Sequence, residues 1–427
     1  MLFYSFFRRA AVGMLALPLM FGCRDELPTA TGEDLFPGGA RPSTVDLTLE
    51  PEQFVLSSVQ QTDFARAADA GYLVVARDFE QELNANALVR FTGFPETVTY
   101  TINGALTTEQ NFTYQGGQVV TSVVARSSAA VTTQLRLWEL AEPWDTVGVS
   151  WTVASGRASP TQWSTPGGTR GSMLGQSVWT PGDTTAAADS VRFTVDATAV
   201  ARMAAAGFNG LVITSETAGA RVTLSRVALQ TSVRPAAHPD TTIALTIVGG
   251  PQTFIFSPEA QNVAGTLRVG GVTGDRAVLG IDLRQQVPGC ANPATTPNCP
   301  SVSLRNVTIN RASLVLSPVR TPGGLRPLVS PSMRIRRVVE PGLGRFAPLG
   351  QLLFADTVPV ARFASPGGAP ISIDLTGPLL LFNATQVEQL SIALLTEPEG
   401  GNFGYLYFTD RPRLRIVYTL PLRPSFP

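Results

Sequence analysis

The feature that most constrains this chain is a series of short marks that runs once, in order, and then runs again. Val45-Asp46-Leu47-Thr48-Leu49 followed by Phe54-Val55-Leu56 returns as Ile243-Ala244-Leu245-Thr246-Ile247 followed by Phe254-Ile255-Phe256. Val89-Arg90-Phe91 returns as Ile281-Asp282-Leu283, and Ser122-Val123-Val124 as Ser313-Leu314-Val315. Leu135-Arg136-Leu137, closing at Glu142-Pro143, returns with the same internal spacing as Met333-Arg334-Ile335, closing at Glu340-Pro341. Asp196-Ala197-Thr198 matches Asp374-Leu375-Thr376, Ile213 to Glu216 matches Leu394 to Glu397, and Val222 to Leu224 matches Leu414 to Ile416. A chain that repeats its marks in order is expected to repeat its fold. The marks alternate apolar with polar residues, the pattern of half-buried strands. The 39 glycines and 33 prolines are spread between them as turn punctuation. The expectation is an all-β chain of two tandem antiparallel β-sandwiches, over residues 43–232 and 243–421. Residues 233–242, with Pro235 and Pro239, are expected to link them.

The start of the chain reads as an export signal. Arg8 and Arg9 precede an apolar run from Ala10 to Phe21, too short for the roughly 20 residues of a membrane span. The run ends in Met20-Phe21-Gly22-Cys23, which resembles the lipobox of bacterial lipoproteins, although Met20 and Phe21 depart from its commoner residues. Residues 1–22 are then a signal peptide, Cys23 the lipid-attachment site, and the Gly/Pro-rich stretch 23–42 a flexible tether. The implied location is the bacterial envelope, at the outer membrane or cell surface, with the membrane as partner through the lipid. In an exported chain, Cys290 and Cys299 in a Pro/Asn/Thr loop are expected to form a disulfide.

All five tryptophans fall between Leu135 and Trp179. Trp151 and Trp179 are expected in the core. Trp138 shares the phase of Gln134 and Arg136, opposite Leu135 and Leu137, so it is expected to be at least partly exposed. Flat aromatic faces suit the apolar faces of sugar rings. That makes Trp138 and Trp144 the ligand-binding candidates, with Glu142 and Asp145 as polar neighbours; tryptophan also serves as a core anchor.

The order of these marks resembles that of the DNRLRE-type β-sandwich modules of bacterial surface proteins. The shared motifs are an Arg-Phe strand at Ala87 to Phe91, a tryptophan segment from Trp144 to the Ser150-Trp151 pair, and Asp196-x-Thr198. A helix and the Gly210-Leu211 strand follow that Asp-x-Thr. The resemblance covers residues 45–231 directly and the rest only through the internal repeat, and the letters that name the family do not occur here as a run. It implies jelly-roll-like sandwiches, and polysaccharide as the ligand class of related modules.

Several function classes find no support. With 32 basic and 32 acidic residues the net charge is zero, so nothing suggests a grip on nucleic acid. The sequence contains no Gly-x-Ser-x-Gly elbow, His-Glu-x-x-His or phosphate-binding loop, and the single histidine, His238, lies in the expected linker. The chain is expected to be non-catalytic and to need no cofactor or metal. A structural calcium ion at Asp183 and Asp189 is the weaker alternative to a solvated loop. Asp196 and Asp374 are expected to cap helices or fix turns, and Arg334, Arg336 and Arg337 to form a solvated face.

Overall fold

A computed structural model describes residues 43–127, 132–181, 189–248, 250–322, 324–384 and 388–420. The signal peptide, Cys23, the tether and Asp183 lie outside these residues. The fold is all-β, built of curled antiparallel sheets in a sandwich arrangement.

Alternation sets which way each strand faces. In strand Thr133–Leu140, Leu135 and Leu137 are buried, while Gln134, Arg136 and Trp138 on the other face are only half-buried. Strand Ser190–Val195 buries Val191, Phe193 and Val195 in the same way. These residues meet Leu73, Val75, Phe79, Val119, Leu211 and Ile213 in one apolar core. A second core gathers Val45, Leu49, Leu279, Ile281, Leu314, Ile335, Ile392, Ile416 and Tyr418.

The same strand order occurs twice. In the first set, Gln252–Ser257, Leu83–Val89, Leu211–Ser215, Thr133–Leu140 and Arg170–Trp179 lie side by side. In the second, the same places go to Val55–Gln61, Arg276–Asp282, Gln389–Thr396, Ser332–Val338 and Leu349–Thr357. The facing layers agree as well. Ile243–Val248, Ala228–Pro235, Phe112–Arg126 and Ser190–Val195 match Thr44–Leu49, Arg413–Thr419, Thr308–Leu316 and Ile371–Asp374. Register is kept too: Leu135, Arg136 and Leu137 face Ser215, Thr214 and Ile213, as Met333, Arg334 and Ile335 face Thr396, Leu395 and Leu394.

Strand pairing crosses the expected boundaries. The expected linker 233–242 is instead the end of strand Ala228–Pro235 and a hairpin connection: Ile243–Val248 folds back on that strand, with Val233 opposite Ile243. The strands between 73 and 257 form the first set, so Gln252–Ser257 belongs there. Thr44–Leu49 and Val55–Gln61 instead complete the second set, against Arg413–Thr419 and Arg276–Asp282. The first set is thus inserted between the opening strands of the second set and the rest of it. The segments 62–72 and 258–265 carry the chain across.

Some expected correspondences shift with this pairing. Val222–Leu224 lies between Leu73–Phe79 and Phe112–Arg126, the place Tyr405–Thr409 takes in the second set. Leu414–Ile416 matches Ala228–Pro235 instead. By partner register Val89 corresponds to Leu279, not Ile281: Val89 faces Leu211, and Leu279 faces Ile392. Ser122 lies opposite Ser190 whereas Ser313 lies opposite Asp374, at the other end of the paired strand.

Other local expectations can be placed directly. Asp196 caps helix Ala197–Ala204, its Oδ1 accepting from the Ala199 N–H at 2.7 Å. Asp374 accepts from the backbone N–H of Thr376 at 2.8 Å. Cys290 and Cys299 are bonded, with their Cα atoms 5.7 Å apart. Arg334 is paired with Glu397, and Arg336 donates to the Gly350 carbonyl at 3.2 Å.

The two sets meet along an aromatic seam. Phe403 packs on Phe254 and Phe256 with centroid distances of 5.6 and 5.0 Å, and Tyr72 stacks on Phe254 at 5.6 Å. Tyr405 and Tyr407 point into the core of the first set, while Leu406 and Phe408 point into that of the second. One short strand therefore serves both cores through its two faces.

Candidate functional site

The tryptophan-rich loop 141–169 folds over the outer face of the first set. It closes a small core of its own, in which Trp144, Ala154 and Trp163 pack on Leu88, Leu140, Val212 and Ile255. A long loop must satisfy its own backbone groups, and its carboxylates do this. Asp145 Oδ1 accepts from the N–H groups of Val147 and Gly148 at 2.8 and 2.7 Å, and Oδ2 from Gly156 at 2.7 Å. These N–H donors, Gly148 foremost, hold the Asp145 carboxyl below the usual carboxylate range. Glu142 accepts from the Ser164 N–H at 3.1 Å and is lowered chiefly by hydrogen bonding to Ser164.

This placement corrects the tryptophan site read from the sequence. Trp144 is only 3% exposed, so no ligand can stack on it. Its ring lies 5.1 Å from the Arg90 guanidinium, which also donates to the Trp144 carbonyl. Glu142 and Asp145 spend their oxygens on the loop. Trp138 is half-buried, on the face its phase predicts, but Arg136 and Arg170 sit over its ring at 5.9 and 5.8 Å. Its indole N–H is directed at the Thr214 hydroxyl at 3.3 Å. A sugar would have to displace an arginine to reach it. Trp179 is a core residue, as expected.

The structure opens elsewhere. A cleft of about 880 Å³ lies between segment 62–69, the near end of the tryptophan-rich loop, and strand Gln252–Ser257. Trp151, expected in the core, is half-buried and stands in its wall. Gly167 backs the indole: φ is +89°, and a Cβ there would come within 2.9 Å of the ring. Phe64 lines another side. It is held beneath Arg276, whose guanidinium lies 3.5 Å from the ring centroid and is itself fixed by Glu399.

The polar groups of the cleft are arranged in pairs. Asp63 meets Arg157 at 3.2 Å across the rim, and Arg66 meets Asp69 at 2.9 Å. In the floor, buried Arg268 is paired with Asp275 and donates to the Ala260 carbonyl at 2.6 Å. Thr273 donates to Asp275 at 2.7 Å, and its hydroxyl lies 3.1 Å from that of Tyr405. Glu259 stands exposed at the rim. The lining thus offers aromatic faces and charges that largely cancel. Among the described residues no cluster of three or more His, Cys, Asp or Glu side chains could hold a metal.

The cleft escaped the sequence because its walls come from crossing segments with no regular period. The signal that could have marked it is Asp63-Phe64-Ala65-Arg66, an aromatic residue between charges just after a strand. No family model and no curated protein matches this chain.

Proposed function

We propose that this chain is a non-catalytic, lipid-anchored protein of the bacterial envelope that holds glycan in the cleft beneath Trp151. The observation that carries the reading is an open cleft pairing a half-buried indole with polar rims of cancelling charge. Sugar rings present one apolar face and an equatorial belt of hydroxyls. They need a flat aromatic surface together with hydrogen-bonding neighbours, not a strong field. Anchoring through Cys23 rests on the lipobox-like Met20 to Cys23, and kinship with DNRLRE-type modules rests on the motifs at Ala87 to Phe91, Trp144 to Trp151 and Asp196 to Leu211.

The test is a glycan-binding screen of the whole exported chain, repeated with Trp151→Ala and Trp138→Ala. Trp151→Ala should weaken binding about fivefold, in line with about 1 kcal/mol for one stacking contact. Trp138→Ala should leave binding unchanged. Equal affinities for all three proteins, or no glycan bound, would reject the cleft as the site.

A second reading, a structural or adhesive spacer, is favoured by the aromatic seam between the strand sets. A seam of this kind makes a stiff unit, as a spacer requires. That reading gains if the screen is empty and the protein instead retains a protein partner on the intact envelope.

A further inference from the structure

We infer that the cleft is one end of an elongated site that crosses from the first strand set to the second and takes an extended, uncharged saccharide chain. This rests on the glycan reading above and specifies its ligand. The starting observation is the turn Pro341–Phe346. Phe346 is 80% exposed and Leu343, in the same turn, is 51% exposed; Phe346 is the most exposed large apolar side chain among the described residues. An exposed aromatic ring three residues from an exposed leucine, in one turn, makes a small apolar patch open to contact.

The turn is fixed to the cleft rim. Arg345 donates to the Asp63 carbonyl at 2.7 Å. Its guanidinium lies 5.5 Å from the Phe64 ring and 5.9 Å from the Phe346 ring, so it bridges the two. Asp63 and Phe64 are themselves cleft residues. Trp151 and Phe64 line the cleft, and Phe346 lies outside it, joined to Phe64 through Arg345. Glu340 opens the turn at φ +55°, a conformation non-glycine residues seldom adopt, and Gly344 has φ +59°. The backbone is committed to holding Phe346 outward.

Charge narrows the class of chain. Along the line, Asp63 is paired with Arg157, Arg66 with Asp69 and Arg276 with Glu399. Arg345 donates to a carbonyl, and the exposed Glu340 of the same turn and Glu259 at the cleft rim offset its charge, so no excess of positive charge is left for a uronate or phosphate polymer. Phe64 is covered by Arg276 and Arg345, as Trp138 is by its two arginines, so the open rings are those of Trp151 and Phe346. Two spaced rings without net charge suit a neutral or N-acetylated hexose chain, one sugar face on each.

The test uses the intact exported protein with cello- and chito-oligosaccharides from disaccharide to hexasaccharide, and an oligogalacturonate as the acidic comparison. The hexasaccharide of the preferred series should bind at least tenfold more tightly than its disaccharide, and the oligogalacturonate more weakly than either. Phe346→Ala should lower hexasaccharide affinity about fivefold and leave the disaccharide unchanged, one stacking contact being lost. Because Phe346 is exposed, its variant should keep the wild-type melting temperature. Trp151→Ala should weaken both lengths. Equal binding of both lengths, unaffected by Phe346→Ala, overturns the extended site while leaving a glycan cleft intact. Tighter binding of the oligogalacturonate overturns the uncharged class. If no oligosaccharide binds, both readings fall.

Discussion

The guanidinium of Arg221 donates to the carbonyl oxygen of Gly324 at 2.6 Å and, through its other terminal nitrogen, to that of Arg326 at the same distance. Arg221 belongs to the first strand set, and Gly324 and Arg326 to a loop of the second half of the chain. The side chain is almost fully buried, with Phe79 and Phe403 each 5.2 Å from its guanidinium. Burial pulls its pKa down to about 9, which leaves it charged at neutral pH. The contact explains how an irregular loop is carried over an apolar core: its inward carbonyls are satisfied by one forked donor.

Arg221→Met keeps most of the apolar bulk and removes both donors. The Gly324 and Arg326 carbonyls are then left without them, at about 1–3 kcal/mol for each buried group. The expected loss is about 2–6 kcal/mol in a denaturant titration. A loss below about 1 kcal/mol would show that the loop finds other donors.

Insertion of one strand set into the other makes a sharp prediction about fragments. Residues 72–257 hold every strand of the first set, so this fragment should give dispersed backbone spectra and a cooperative melt. Residues 258–420 lack Thr44–Leu49 and Val55–Gln61, which pair with Arg413–Thr419 and Arg276–Asp282. Alone they expose two strand edges and part of a core, and should stay unfolded or aggregate. Adding a peptide of residues 43–61 should rescue them. Cooperative folding of 258–420 without that peptide would show that the exchanged strands are dispensable.

Much of this architecture was legible from the sequence, and the limits have a physical cause. Alternation correctly turned Leu135 and Leu137 inward and Trp138 outward, because side-chain period fixes the face of a strand. It does not fix the partner. Val55–Gln61 and Gln252–Ser257 have similar patterns and lie in opposite sets, a choice made by tertiary contacts far along the chain. Pro235 and Pro239 looked like a linker because prolines mark a turn as readily as a boundary. Trp144, Glu142 and Asp145 looked like a binding group because sequence does not show that their loop folds back and consumes them. The cleft was illegible for the converse reason: Phe64, Trp151 and Tyr405 are brought together only by the crossing segments.

Asp145 predicts an acid-sensitive loop. Its folded pKa lies below its unfolded value, about 3.9 for a free aspartate, because the Gly148, Gly156 and Val147 N–H groups bind the ionised form. Its stabilisation is present above the unfolded pKa and is lost as pH falls through the folded one. Asp145→Asn should therefore destabilise the protein at pH 7, and the difference from wild type should shrink below about pH 4. A difference that stays constant between pH 7 and pH 3 would show that charge at Asp145 does not hold the loop.

Cys290 and Cys299 close a short surface loop. By the chain-entropy estimate for short loops, replacing both with serine should cost about 2–3 kcal/mol. The strands Gln286–Pro288 and Ser301–Ser303 flank the bond, so the loss should appear first in their amide exchange. Unchanged protection of Val287 and Val302 in the double variant would show that this strand pair holds without the covalent closure.

Trp144 and Trp138 should separate cleanly. Trp144 sits in the small core under the loop with its neighbours Leu140, Trp163 and Ile255, and Trp144→Ala empties that site. The expected cost is about 3–5 kcal/mol. Trp138 is half-buried between Arg136 and Arg170, so Trp138→Ala loses part of its packing and its arginine contacts, about 1–2 kcal/mol. Neither variant should change glycan affinity once folded, because neither residue lines the cleft. Quenching by acrylamide gives an independent reading. Trp151 and Trp138 should be the accessible indoles, and Trp151→Phe should remove the part of the quenching that glycan protects. Glycan protection that survives Trp151→Phe but vanishes in Trp138→Phe would move the site from the cleft to the outer face of strand Thr133–Leu140.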